Sequence, residues 1–234
     1  VSFENGVQGV LVRQPLKEGE TVAMKHFYID IGAKDAEEAL SMVQVGDVAV
    51  YANDCFRLGQ HRVSAPAMDD RVACALLVSL LSDLPSVKDT VFAVFSTQEE
   101  VGTRGAFASA FSVKPEIALV LEATTAADLP GTPSGKRVCA PGKGVVIPYM
   151  DGGTIYDRGL FCRLRELAEA NHIPWQTKEY LSGGTNGRTY QRSRAGVRVA
   201  GLAIATRYLH APTSVAAVAD MEGMLELARA FIGN

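Results

Sequence analysis

The stretch Ser96-Thr97-Gln98-Glu99-Glu100-Val101-Gly102 sets two adjacent carboxylates directly after an apolar run, Thr90-Val91-Phe92-Ala93-Val94-Phe95. Acids at the end of a buried run are costly unless a cation meets them. A second acidic pair, Asp69-Asp70, lies upstream, Glu122 closes the run Ile117-Ala118-Leu119-Val120-Leu121, and His210 follows another apolar stretch. Hard carboxylate oxygens together with an imidazole suit zinc, cobalt or manganese. Two such ions, about 3.5–4 Å apart, can share a bridging carboxylate. Of Glu99 and Glu100, one would then act as base and the other as ligand. Taken singly, each group has a plainer role: Asp69-Asp70 opens a helical pattern, where acids cap and meet the dipole favourably, and a lone histidine is more often structural. Their joint occurrence at element ends points to one metal centre.

The elements that must carry these groups alternate in type after Pro66. The patterning predicts a helix over 70–84, strands over 90–96, 117–122 and 144–149, a helix over 156–171, a strand over 197–205 and a closing helix over 220–232. Alternation of this kind predicts an α/β fold whose mostly parallel sheet is flanked by helices on both faces. Residues 1–64 read differently. Short alternating segments around Val7-Val10-Val12, Phe27-Ile31 and Val48-Val50 are punctuated by Gly6, Gly19, Gly32 and Gly46, with one helix near 34–42. That is a small β-rich module. The start, Val1-Ser2-Phe3, reads as mid-domain strand, so the chain is expected to begin inside a larger protein.

Of the 234 residues, 47% are hydrophobic and 21% charged, which excludes a disordered chain. A net charge of -3 gives nothing to draw nucleic acid or an anionic membrane. No apolar run reaches the roughly 18 residues of a membrane span. Cys55, Cys74, Cys139 and Cys162 show no C-x-x-C spacing. They are expected as free thiols, three of them buried, in a reducing cytoplasm.

Taken in order, A-M-D-D-R (67–71), Q-E-E-V-G (98–102), L-E-A-T (121–124), G-G-T-N (183–186) and R-Y-L-H-A-P (207–212) resemble the tetrahedral aminopeptidases. These are also known as glutamyl or deblocking aminopeptidases, the FrvX-like group of dinuclear metallopeptidases. The resemblance covers essentially the whole chain. It implies a zinc-peptidase-like α/β catalytic domain over 65–234, lacking its N-terminal part. It also implies that 1–64 is the C-terminal part of an inserted PDZ-like dimerisation domain.

The resemblance further implies that Asp69 bridges two zinc or cobalt ions, Glu100 and His210 complete one site, and Glu122 binds the other. Glu99 becomes the general base acting on a metal-bridging water, and Asp70 orients its neighbour across an unusual, even cis, peptide bond. Asn186, where most relatives carry Asp, would touch substrate or support the site. The family's remaining histidine comes from an upstream H-x-D motif, and this chain has no H-x-D. Its other histidines, His26, His61 and His172, lie in the module or at a helix end. Implied partners are peptides and further copies of the chain, as dimers that build a hollow dodecamer. Two other readings share these residues: a carboxypeptidase or N-acyl amino-acid deacylase, and a non-catalytic assembly subunit with an incomplete metal site.

Overall fold

A computed structural model describes residues 1–233, and their contacts divide the chain into two compact units, Val1–Asp54 and Cys55–Asn234. The first unit holds β1 (Ser2–Phe3), β2 (Val10–Arg13), β3 (Phe27–Asp30), α1 (Ala36–Met42) and β4 (Ala49–Val50). The strands form two antiparallel pairs, β1 with β4 and β2 with β3. Asp35 caps α1 by accepting from the Glu38 amide at 2.9 Å. Few side chains are covered: Val45 is 98% and Met24 84% exposed.

The second unit runs β5 (Phe56–Leu58), β6 (Arg62–Ala65), α2 (Met68–Ser82), α3 (Arg104–Val113), β7 (Ile117–Thr125), β8 (Val145–Val146) and α4 (Arg158–Ala170). It continues through β9 (Trp175–Gln176), α5 (Gly187–Tyr190), β10 (Arg198–Arg207), β11 (Ser214–Ala217) and α6 (Val218–Gly233). Its seven strands form one sheet built around β10. The sequence of β10, Arg-Val-Ala-Gly-Leu-Ala-Ile-Ala-Thr-Arg, is apolar at nearly every position, as a strand covered on both faces requires. Eight of its ten residues are buried. β7 lies parallel to it in register from Arg198↔Ile117 to Thr206↔Thr125, while β8 and β11 pair antiparallel with it on its other side.

Helix α4 shows how the cover is built. Asp157 accepts from the Leu160 amide at 2.9 Å and starts the helix. Leu160, Leu164 and Ala168 then repeat every four residues and are all buried. With Ile147, Leu202, Ile204, Met224 and Leu227 they form the main core.

Three expectations change. The sheet is mixed rather than mostly parallel, because β5, β6 and β11 return as antiparallel neighbours and only β7–β10 and β8–β9 run parallel. The segment 90–96 forms no strand. A strand exists through ladder bonds to a neighbour, and this segment has none; β7 in turn is paired only along β10 among the described residues. Both line an open trough of about 1000 Å³, together with Leu77, Leu80 and Phe231. Lastly, only Cys139 is fully buried; Cys74 is exposed, as is Cys55, and all four thiols are free. No described helix is long and apolar enough to cross a membrane.

Candidate metal and catalytic site

Four chain segments bring the acidic residues together at one end of β7. The first is the start of α2, where Asp69 and Asp70 are joined by a cis peptide and have non-helical backbone angles. The second is the turn after Ser96. There the Gly102 and Thr103 amides donate to Glu99 O at 3.0 and 2.9 Å, and Gln98 takes a positive φ of 57°. This compact turn holds the Glu99-Glu100 pair even though no strand precedes it. The third is β7 itself, where Glu122 is only 6% exposed. The fourth is the turn after β10, where His210 has a φ of 61° and directs its ring back toward α2.

His210 Nε2 lies 2.9 Å from Asp69 Oδ2 and 3.3 Å from Glu100 Oε1. Ligand atoms of Asp69, Glu100 and His210 sit within 4.8 Å of one another, and so do those of Asp69, Asp70 and Glu122. Asp69 belongs to both groups, the position a bridging carboxylate would need. Asp70, expected only to orient its neighbour, is itself close enough to belong to the second group. His26, His61 and His172 stand in neither.

The electrostatics follow from this crowding of carboxylates. Burial, reinforced by Glu100, raises the Asp69 carboxyl above its ordinary range. Burial and the charge of Glu122 push Asp70 up to about 10, and burial and Asp69 push Glu122 up to about 8. Glu99 is raised by burial and by Glu100, an effect that Arg188 and His210 partly oppose. Carboxylates crowded in this way repel one another and hold protons. A divalent cation removes that repulsion, so the donor set, hard oxygens and one imidazole, fits such an ion.

A second layer, silent in the sequence, fixes the loop 182–187. The Gly152 amide donates to Gly183 O at 2.9 Å, and the Lys178 ammonium, 4% exposed, donates to Ser182 O at 3.0 Å. Tyr156 donates to Asp151 Oδ2 at 2.8 Å, and its hydroxyl lies 3.2 Å from Thr185 Oγ1. So held, the loop presents the Asn186 amide to the Glu122 carboxylate. The side-chain Oδ1 of Asn186 is buried and accepts no hydrogen bond from the described residues. Nothing in the order of residues marks Asp151 and Tyr156 as partners of Thr185; the contact exists only once β10 and its neighbours are assembled.

Residues 5–227 match the M42 glutamyl aminopeptidase family. The lysyl aminopeptidase of Pyrococcus furiosus is 31% identical over 233 residues, covering 97% of this chain and 66% of that protein. Among solved structures, aminopeptidase APDkam598 from the archaeon Desulfurococcus kamchatkensis superposes with a TM-score of 0.93 at 31% identity, covering 100% of this chain and 67% of that one. The Pyrococcus horikoshii TET1 peptidase, described as assembling into a tetrahedron or a large octahedral shell, gives a TM-score of 0.84 at 28% identity, covering 99% and 70%. This chain spans about two thirds of the length of these relatives.

Proposed function

Because this chain belongs to the M42 glutamyl aminopeptidase family, we propose that it carries a metal-dependent aminopeptidase site that releases N-terminal residues from peptides. The observation that carries this reading is the convergence of Asp69, Glu100 and His210, with Asp70 and Glu122 sharing Asp69 on the other side. Asp69, Glu100 and His210 would hold one divalent cation, zinc or cobalt, and Asp69 with Glu122 a second. When bound, such ions polarise a scissile carbonyl and lower the pKa of water.

Glu99 belongs to neither ligand group, yet it sits beside them, raised in proton affinity by burial and then by Glu100 and Asp69. On this reading it takes a proton from the attacking water and returns it to the departing amine. Asn186, with an unsatisfied acceptor in the same cavity, supports binding of the peptide's free amino end. The exposed apolar side chains of the first unit support association between copies of the chain, with that unit as the dimerisation module and the second as the catalytic domain. Four free thiols favour a reducing, cytoplasmic setting.

Replacing Glu99 by Gln keeps shape and removes the base. We expect kcat on amino-acid p-nitroanilides to fall by about 10²–10⁴-fold, with metal content by mass spectrometry unchanged. Full turnover in Glu99→Gln would remove Glu99 from the mechanism. Absence of turnover in the metal-loaded wild type, with free-amine and N-acylated substrates alike, would remove the enzyme reading.

A further inference from the structure

Lys178 is 4% exposed, a rare station for an ammonium group. Bonds on both sides of it fix it there. The Glu179 amide donates to Val138 O at 2.9 Å, and the Thr177 hydroxyl donates to Ile147 O at 2.9 Å. An ammonium carries three N–H donors. Among the described residues Lys178 uses them on a single acceptor, Ser182 O at 3.0 Å. Asp151 supplies no second one: its Oδ1 accepts from the Gly153 and Thr154 amides and its Oδ2 from the Tyr156 hydroxyl. A buried donor left without an acceptor is costly, so the remaining N–H groups call for one.

The space beside them is specific in size and in lining. A cavity of about 10 Å³, roughly the room of one water, is bounded by Lys178, Glu122, Tyr156 and Thr185. Gly201 and Ala203 of β10 close it with little side chain, Ala203 lying in register with Glu122. Burial disfavours the Lys178 charge, while Asp151, Cys139 and Glu122 act against that. One small polar chamber thus joins an under-used ammonium to the carboxylate that also neighbours Asp69 and Asp70.

We propose that Lys178 is a positioning residue: through one water in this cavity it donates to the Glu122 carboxylate and aims it at the second cation. Partners of this kind orient a ligand without touching the metal. The inference deepens the metallo-aminopeptidase reading and rests on its second cation site. The test titrates zinc into chelator-stripped wild type, Lys178→Met and Ala203→Val against a coloured zinc chelator. Lys178→Met keeps an unbranched stem and removes the donors. Ala203→Val adds volume to the cavity and keeps both the Lys178 ammonium and Ser182. In parallel, a crystal structure of the zinc-loaded wild type locates ordered water, and turnover of Leu-p-nitroanilide is recorded for all three proteins.

We expect the wild type to bind two zinc ions. Each variant should retain the affinity of one and lose about 10- to 100-fold on the other, and the crystal should show a water within hydrogen-bond reach of Lys178 Nζ and Glu122. Loss at both sites alike, or at neither, overturns the proposal. Loss in Lys178→Met alone would mean that Lys178 acts through Ser182 and its loop, which overturns it too. So does an empty cavity or a direct contact between ammonium and carboxylate in the wild-type crystal, a result that needs no variant to fold. Leu-p-nitroanilide turnover alongside any of these failures leaves the aminopeptidase reading standing. A second zinc that depends on Lys178, in a chain that turns over no free-amine substrate, keeps the proposal and sinks that reading.

Discussion

Ligand atoms of Asp70 and Glu122 lie within 4.8 Å of each other, and burial lifts both carboxyls well above their ordinary values. The folded state therefore holds protons that the unfolded chain releases near pH 4. Stability of the metal-free chain then falls as pH rises from about 4 toward 8, because the unfolded state binds fewer protons over that window. With a chelator present, we expect a lower Tm at pH 8 than at pH 6, and added zinc or cobalt to flatten that slope; a chelated chain with the same Tm at both values would contradict the crowding of charge described here. Asp69, Glu99, Glu100, Glu122 and His210 could be picked from the sequence because each breaks or ends an apolar run, where a charge needs a reason. Asp151 and Tyr156 could not, because their contacts with each other and with Thr185 exist only in the assembled fold.

Among the elements, those with a strong pattern were the legible ones. Helix α4 was marked by its recurring leucines, Leu160, Leu164 and Leu167, and β10 by its unbroken apolar run. The segment 90–96 has an equally strand-like composition but forms none, because composition says nothing about whether a neighbour offers its amides and carbonyls. The mixed direction of the sheet was hidden for a similar reason: β5, β6 and β11 are short, and their turns do not reveal which way they return. Helix α4 also gives a clean test. Asp157 accepts from Leu160 N and pairs with Arg198, and these hold its carboxyl down to about 2. Its stabilising effect is complete above the unfolded value near 4 and is lost as pH falls toward 2. Asp157→Ala should cost about 1 kcal/mol at pH 7 through the lost cap, and that difference from wild type in urea unfolding should shrink at pH 2. An undiminished difference at pH 2 would assign the effect to packing instead.

For the whole molecule, the two units differ in how well each buries its own apolar side chains. The second has a continuous core; the first leaves Val10, Val22, Met24, Val45, Val48 and Val50 largely exposed. Exposed apolar groups gathered on one small module are the usual substrate for association. We expect wild-type chain to sediment as a dimer or larger at micromolar concentration, and Val45→Glu to shift it toward monomer with its metal content intact. A wild type that sediments as a monomer throughout that range would deny the first unit this role.

Gly201, at the centre of β10, leaves bare the patch of backbone on which the Tyr156 ring lies: a Cβ there would fall 2.8 Å from Tyr156 Cε1 and 3.0 Å from Pro148 Cγ. The phenol that lies there is the one that reaches Asp151 and Thr185. A single methyl added in the dry middle of the molecule would thus be transmitted outward as a misplaced Asn186. Lesions that impair turnover should accordingly surface in the interior as well as among the ionisable groups, at a position whose smallness alone is its contribution.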